Sequence, residues 1–412
     1  MVTRGGRLGG VNDDRRRMGE REFVLFIGLV STMAAMAIDM MLPAFDQMRT
    51  AFDLAEDSTR LSLTVTLFLM GAGVGNVFYG PAADALGRKP TLVGSMVLYG
   101  TAALVCALAP SLTVLFVGRF VWGLASSGSR SLTQAIVRDR YSGTAMARVM
   151  TLIQTAFFLG PIFSPLIGKA ILEASSWRWV MAWGLVSSTA VVLWSVRLAE
   201  TLDPVNRRPL RFGPVIAGLR FVIRNRTTLG FTLAITFGFG AFLSYLGSTE
   251  LILTEIYERP GWFVPFFSAS GLIAAVVAFA SNRILRTVSA GSLALGAGVA
   301  YAAASVLLCA VTVAYDGLPP LVVWLAVFGL ANAVHVAVFP SAMSLALEPM
   351  GAMAGTAAAV MGFVSSLGGA LLASFTDRSI DDTVMPIGIA YAVYNTISLA
   401  FQLWARGQAR AR

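Results

Sequence analysis

Asp39 lies inside an apolar run, Met36-Ala37-Ile38-Asp39-Met40-Met41-Leu42-Pro43. If that run crosses a bilayer, its carboxylate is costly to keep, and such residues face a cavity, a charge partner or a proton path. A carboxyl held away from water can trade its proton near neutral pH. Arg119 and Arg130 lie in a second apolar run, with Gly123 and Ser126 between them. Their spacing is about three helical turns at 3.6 residues each, so both guanidinium groups share one face. If the two runs cross in opposite directions, Asp39 and Arg119 both sit roughly 9–10 Å below the same boundary, at about 1.5 Å per residue. They are expected to communicate across a central cavity, directly or through water. Arg130 is expected near the other end of its helix, beside Arg138-Asp139-Arg140. A third charged group is the connector Gly80-Pro81-Ala82-Ala83-Asp84-Ala85-Leu86-Gly87-Arg88-Lys89-Pro90. Asp84 and Arg88 are four apart and able to pair. Gly80 and Gly87 permit tight turning, and Pro90 suits the first turn of a following helix.

The elements that carry these groups are membrane helices. The chain has 412 residues, of which 56% are hydrophobic and only 13% charged. Soluble domains carry roughly 25% charged residues. About 20 apolar residues make one span, and twelve candidates occur, at approximately 23–45, 61–82, 91–110, 112–134, 147–172, 178–198, 228–251, 262–282, 291–314, 319–343, 353–375 and 384–405. No segment shows the alternation of a membrane barrel. The fold class expected is all-α integral membrane, with twelve transmembrane helices in two six-helix bundles. Residues 1–22 form an N-terminal tail, 23–198 the first bundle, 199–227 a linker with an amphipathic piece, 228–405 the second bundle, and 406–412 a tail.

The net charge of +9 is topological. Of the 31 Lys and Arg residues, 23 fall on the side of the termini, loop 2–3, loop 4–5, the linker and loop 8–9. Arg49, Arg60, Lys169, Arg178, Arg259 and Arg378 fall on the other side. The positive-inside rule then places both termini in the cytoplasm. A nucleic-acid binder needs a basic face with base-contacting groups, and none is visible. Cys106 and Cys309 are too few for a disulfide framework or a metal cluster and are expected as small apolar fillers. No Walker A loop, HExxH or Ser/His/Asp arrangement appears, so neither an enzyme nor an ATP-driven pump is expected.

The 80–90 connector strongly resembles the signature loop of the major facilitator superfamily, G-x-x-x-D-(R/K)-x-G-R-(R/K), which joins transmembrane helices 2 and 3. Ala85 stands where the family carries a basic residue. The resemblance implies that Gly80, Asp84, Gly87, Arg88 and Lys89 form a cytoplasmic gate that latches neighbouring helix ends in one state. Asp39 with Met40, Leu42 and Pro43 resembles span 1 of the bicyclomycin/chloramphenicol-resistance branch of drug:proton antiporters. That likeness implicates Asp39 in proton coupling and substrate binding. Arg119-x-x-x-Gly123 resembles the family's span 4 motif, whose Arg is linked to proton transfer; Trp122 stands where Gln is common. Gly160-Pro161-Ile162-Phe163-Ser164-Pro165-Leu166-Ile167-Gly168 resembles the antiporter motif of exporters, with Lys169 in place of its second Gly. Gly160, Pro161, Pro165 and Gly168 would then make a bent helix that seals the cavity against leak. Trp177-Arg178-Trp179 looks like the family's W-R-W element.

Gln154, Tyr245, Asn332 and His335 are further candidate cavity-lining groups; His335, the only histidine, can change charge near physiological pH. The function expected is proton-coupled multidrug efflux by alternating access in a bacterial cytoplasmic membrane. The carrier is expected to be monomeric and to work on small amphipathic molecules and protons. It uses a proton gradient and no cofactor or metal. The alternatives are a dedicated metabolite exporter or symporter of the same superfamily, and a transport-inactive membrane sensor or scaffold.

Overall fold

The computed structural model describes residues 18–55, 58–207, 209, 213–285 and 287–410. Of the tail expected over residues 1–22, residues 1–17 lie outside that range, as do residues 411–412 of the expected C-terminal tail. The described chain is helical throughout: α1 (Glu20–Asp39), α2 (Phe45–Ala51), α3 (Ser62–Leu86), α4 (Arg88–Ala107), α5 (Leu112–Arg140), α6 (Gly143–Ala174) and α7 (Trp177–Ser195) make one half. After α8 (Gly213–Arg224) come α9 (Arg226–Leu251), α10 (Phe263–Ile284), α11 (Ala290–Ala314), α12 (Leu321–Leu347), α13 (Ala354–Asp377) and α14 (Met385–Arg410). Each of the twelve expected spans has its long helix. Among the described residues, nine helical segments are long and apolar enough, by length and composition, to cross a membrane, and the chain is a multi-pass membrane protein.

Short polar side chains set the helix starts. Ser111 accepts from the Val114 amide, Asn225 from Thr227 and Thr228, and Ser289 from Ser292, satisfying amides that have no partner within their own helices. One end of the bundle carries residue 87, the start of α1 and α8; it is called here the loop face. The other, with α2 and the α9–α10 connection, is the far face.

Three expectations need correction. The first span does not run unbroken to 45. Regular helix stops at Asp39, and a short 3-10 turn over Leu42–Ala44 precedes α2. Pro43 has no amide hydrogen to give the Asp39 carbonyl, and it disfavours helical geometry at Leu42. The acid therefore occupies a helix end rather than a helix middle. The 80–90 connector shrinks to one residue. α3 continues through Gly80 and Pro81 to Leu86, and α4 starts at Arg88. Gly87 alone turns the chain, at φ 106, where a side chain would be strained; Gly80 takes no part in the turn. The tail expected from residue 406 is still helix α14 as far as Arg410.

The core of the first half is the crossing of α3 and α5. A methyl group on Gly123 would overlap the Phe68 carbonyl, and one on Gly71 the Phe120 carbonyl. Lipid gives helices no hydrophobic drive to associate, so such backbone approach supplies the packing. The halves meet where α3 lies on α13 and α6 on α10; Gly73 packs on Phe363 and Ser366, and the Ser268 hydroxyl donates to the Ile162 carbonyl at 3.0 Å. The linker helix α8 buries Val222 and leaves Ile216, Leu219 and Ile223 exposed, consistent with the amphipathic piece read from sequence.

Gly123→Val should cost at least the ~1–3 kcal/mol typical of overpacking, because its obstacle is backbone rather than a movable side chain. Thermal melts in detergent should show a clear fall in Tm. Gly296→Ala, where nothing lies within 4 Å of the added carbon, should melt as wild type. Equal melting of the Val variant would contradict the close crossing.

Candidate transport site

Asp39 ends α1 with 4% of its surface exposed. Among the described residues its carboxylate has no hydrogen-bond or ion-pair partner. Its electrostatic neighbour is the Tyr245 hydroxyl of α9, in the opposite half. The acid thus sits at the junction of the two halves, at the point where α1 loses its regular bonding.

Arg119 is fully buried on α5. Its Nη1 donates to the Ala37 carbonyl at 2.8 Å and its Nε to the Thr64 carbonyl at 3.2 Å. The guanidinium carbon stands 4.6 Å from the Phe68 ring centre and 5.2 Å from that of Trp122, a desolvated cation–π setting. Of the two routes expected between Asp39 and Arg119, the direct one is not formed among the described residues. Arg119 binds backbone oxygens two residues before the acid and on α3, so it fastens the end of α1 without neutralising Asp39. Arg130, on the same face, is exposed, whereas Arg119 is buried.

The antiporter-like stretch of α6 packs against this part of α1. A methyl on Gly160 would meet the Ala35 side chain at 2.7 Å, and one on Gly168 would overlap the Met40 carbonyl. These two glycines let α6 lie flat along α1 up to the break beside Asp39. Pro165 is buried between them; the Pro161 and Gln154 side chains lie outside the described ones.

Tyr245, His335 and Asn332 do come together, in an aromatic cluster of the second half. The His335 ring stacks on Phe242 at 4.7 Å, with Phe239 and Tyr301 beside it. Tyr245 stacks on Phe267 at 5.2 Å. Asn332 accepts from the Tyr391 hydroxyl at 2.8 Å and donates to the Phe328 carbonyl at 2.8 Å, which makes it a structural bridge between α12 and α14. Phe239, Phe242 and Phe266 are only half-buried, so the cluster offers aromatic faces, with the His335 Nδ1 and the Tyr301 hydroxyl unpartnered among the described residues.

At the loop face, Arg88 pairs with Asp84 at 2.7 Å and with Asp139 of α5 at 2.9 Å. The Glu200 carboxylate, just after α7, accepts from the amides of Arg88 and Lys89 at 3.0 and 3.2 Å. An anion at a helix N-terminus satisfies open amides and meets the positive end of the dipole. Lys89 donates to the Val196 carbonyl at 3.2 Å. These bonds tie together α3, α4, α5 and the end of α7, all in one half. Among the described residues none of them reaches the second half.

Sequence reasoning missed three acids. Glu200 looked like a linker residue, and only the fold brings it to α4. Glu250 closes the α9 apolar run and is gripped by Arg49 of α2 at 2.6 Å, the two side chains 5% and 3% exposed. Asp377 ends α13 two residues beyond the expected span and is 1% exposed. The signal available for both was an acid within a turn of a span end.

Residues 25–373 match the Major Facilitator Superfamily. The chain is 28% identical over 380 residues to the uncharacterized MFS-type transporter YdgK of Bacillus subtilis, covering 91% of this chain and 93% of that one. It is 28% identical over 368 residues to a bicyclomycin resistance protein homolog of Haemophilus influenzae, covering 89% and 91%. With the multidrug resistance protein MdtL of Klebsiella pneumoniae it shares 26% over 355 residues, covering 85% and 88%. In three dimensions it resembles a D-xylose-proton symporter, with a TM-score of 0.76 at 14% identity over 93% of this chain and 96% of that one. The human organic anion transporter MFSD10 gives a TM-score of 0.66 at 20% identity over 94% and 100%; at such identities these two structures speak for the fold. With the family match spanning most of the chain and the twelve helices arranged as in these transporters, the chain belongs to the Major Facilitator Superfamily.

Proposed function

We propose that the protein exports small amphipathic compounds, antibiotics among them, in exchange for protons. The observation that carries this reading is the Asp39 carboxylate, buried at the broken end of α1, without a cation among the described residues, and opposite Tyr245 of the other half. An unpaired acid at the junction of two moving bodies can hold either a proton or the polar end of a cargo. The names of the relatives agree, since a bicyclomycin resistance homolog and a multidrug resistance protein stand among them.

The excess of Lys and Arg on the loop face orients that face to the cytoplasm. The far face is then extracellular, and in this structure the halves are bridged there by Arg49 and Glu250. Cargo enters from the cytoplasm and lies against the half-buried Phe239, Phe242 and Phe266, with its polar end toward Asp39. The halves rock about this midplane site. Opened outward, Asp39 takes a proton and lets the cargo go; returned inward, it gives the proton up. The loop-face cluster keeps the first half rigid while it rocks. Arg119 acts as a fastener of the α1 end rather than as a proton partner. A dedicated sugar carrier needs a site lined with hydrogen-bonding groups to recognise hydroxyls. The aromatic cluster, with Asn332 already engaged, supports an amphipathic cargo instead.

Asp39→Asn should abolish proton-driven drug efflux in everted vesicles while the protein still inserts and melts normally. Full transport by that variant would sink the coupling role. Arg88→Ala loses both carboxylate pairs and should slow turnover with substrate affinity retained, measured as efflux rate beside equilibrium binding. Loss of binding at unchanged turnover would contradict this rigidifying role.

A further inference from the structure

The seam at the far face holds two buried carboxylates in different settings. Glu250 has a guanidinium partner, Arg49, with a second contact from Arg49 to Glu255 at 3.9 Å. Asp377 has hydroxyls only. The Ser248 hydroxyl donates to it at 2.7 Å. The Ser244 hydroxyl of α9 is buried nearby with no hydrogen-bond partner among the described residues, while the Ser62 hydroxyl of α3 donates to the Thr59 carbonyl at 2.7 Å. Ser62 comes from the opposite half, so the acid lies at the seam where the halves meet. A methyl group on Gly247 would stand 2.7 Å from the Asp377 Oδ2 and 3.4 Å from the Ser62 Cβ; the glycine allows the acid, α9 and α3 to meet. A crevice lined by Ser58, Thr59, Ser62, Gly247, Ser248 and Arg49 reaches this junction.

We propose that Asp377 is a second protonatable carboxyl of the transport cycle, protonated through this crevice, required neutral before the far face can close, and returning its proton to the same side when that face reopens. An acid that is 1% exposed and has no cation among the described residues would carry an unpaired charge into the closed seam, at a cost of several kcal/mol. When the halves part, Ser62 moves away and water reaches the acid. The charged form is then affordable only in the open state. Proton binding and seam closure become linked in both directions. For an exporter this linkage makes the empty carrier take up a proton before it turns inward, which suppresses futile return. The inference rests on the proton-coupled reading above, and adds a proton site distinct from Asp39. The other titratable groups around Asp377 are Tyr391 and Tyr394 of α14, with Arg378 next in the chain and Glu250, held by Arg49, two residues beyond Ser248. α3 faces it with the uncharged Ser62.

The test is a spin-label distance across the seam, between Arg60→Cys and Ser379→Cys, both exposed, with Cys106 and Cys309 replaced by Ala. Measured in nanodiscs from acidic to alkaline pH, the wild-type seam should be closed at acidic pH and should open as pH rises. Asp377→Asn should stay closed at every pH, a complete loss of the response. Asp377→Glu should keep a response with a displaced midpoint, and it carries the test if the Asn variant does not fold. Asp39→Asn should still respond, so a failure of the Asp39 reading in efflux assays is distinguishable from a failure here. A wild-type response in Asp377→Asn, an unmoved midpoint in Asp377→Glu, or a wild-type seam insensitive to pH would each overturn the proposal.

Discussion

A guanidinium with no path to water must find oxygens inside the fold, because an unpaired buried charge is not tolerated. Arg119 finds the carbonyls of Ala37 and Thr64 and lies against Phe68 and Trp122. That choice governs the rest of the first half. It pins the last turn of α1 to α5 and α3, just before Pro43 breaks the helix. It also leaves the nearby acid, Asp39, without the counterion its depth in the membrane would suggest. The glycines of α6 then close over the same helix end, Gly168 against Met40. A rigid wall results, with one unpaired carboxyl at its edge, facing Tyr245 of the other half.

The two faces of the molecule are held by different chemistry. At the loop face, Arg88 gathers Asp84 and Asp139, and Glu200 caps α4; this network lies within one half and travels with it. At the far face, Arg49 and Glu250 join one half to the other. Rocking must break the second set and can leave the first intact. An ion pair buried at 3% and 5% exposure is not a strong source of net stability, since desolvation offsets its attraction. Its value lies in register: the halves close in one alignment or leave charges unmatched.

Much of this was legible in the sequence, and the limits have physical causes. Each of the twelve expected spans became a long helix among the described residues, because the bilayer length and the need to satisfy every backbone group leave few other outcomes. Asp84 and Arg88 pair as their helical spacing suggested. The end of α1 at Asp39 was foreseeable from Pro43, yet hydropathy alone runs straight through it. Helical depth put Asp39 and Arg119 level, but depth says nothing of direction, and Arg119 turns to backbone carbonyls. Glu200, Glu250 and Asp377 acquire their partners only through tertiary contacts with Arg88, Arg49 and Ser248. No local pattern encodes those meetings. Asn332 was legible as a polar group inside a span, while its engagement by Tyr391 was not.

The central claim is that Asp39 exchanges a proton for cargo because no group among the described residues neutralises it. The most direct measurement is proton release from the purified protein in weakly buffered detergent solution when a transported compound is added. Wild type is predicted to release protons in proportion to the compound bound, and Asp39→Asn to bind with no release from that site, leaving Arg119 variants that still fold with the wild-type signal. Equal release from wild type and Asp39→Asn would contradict the account.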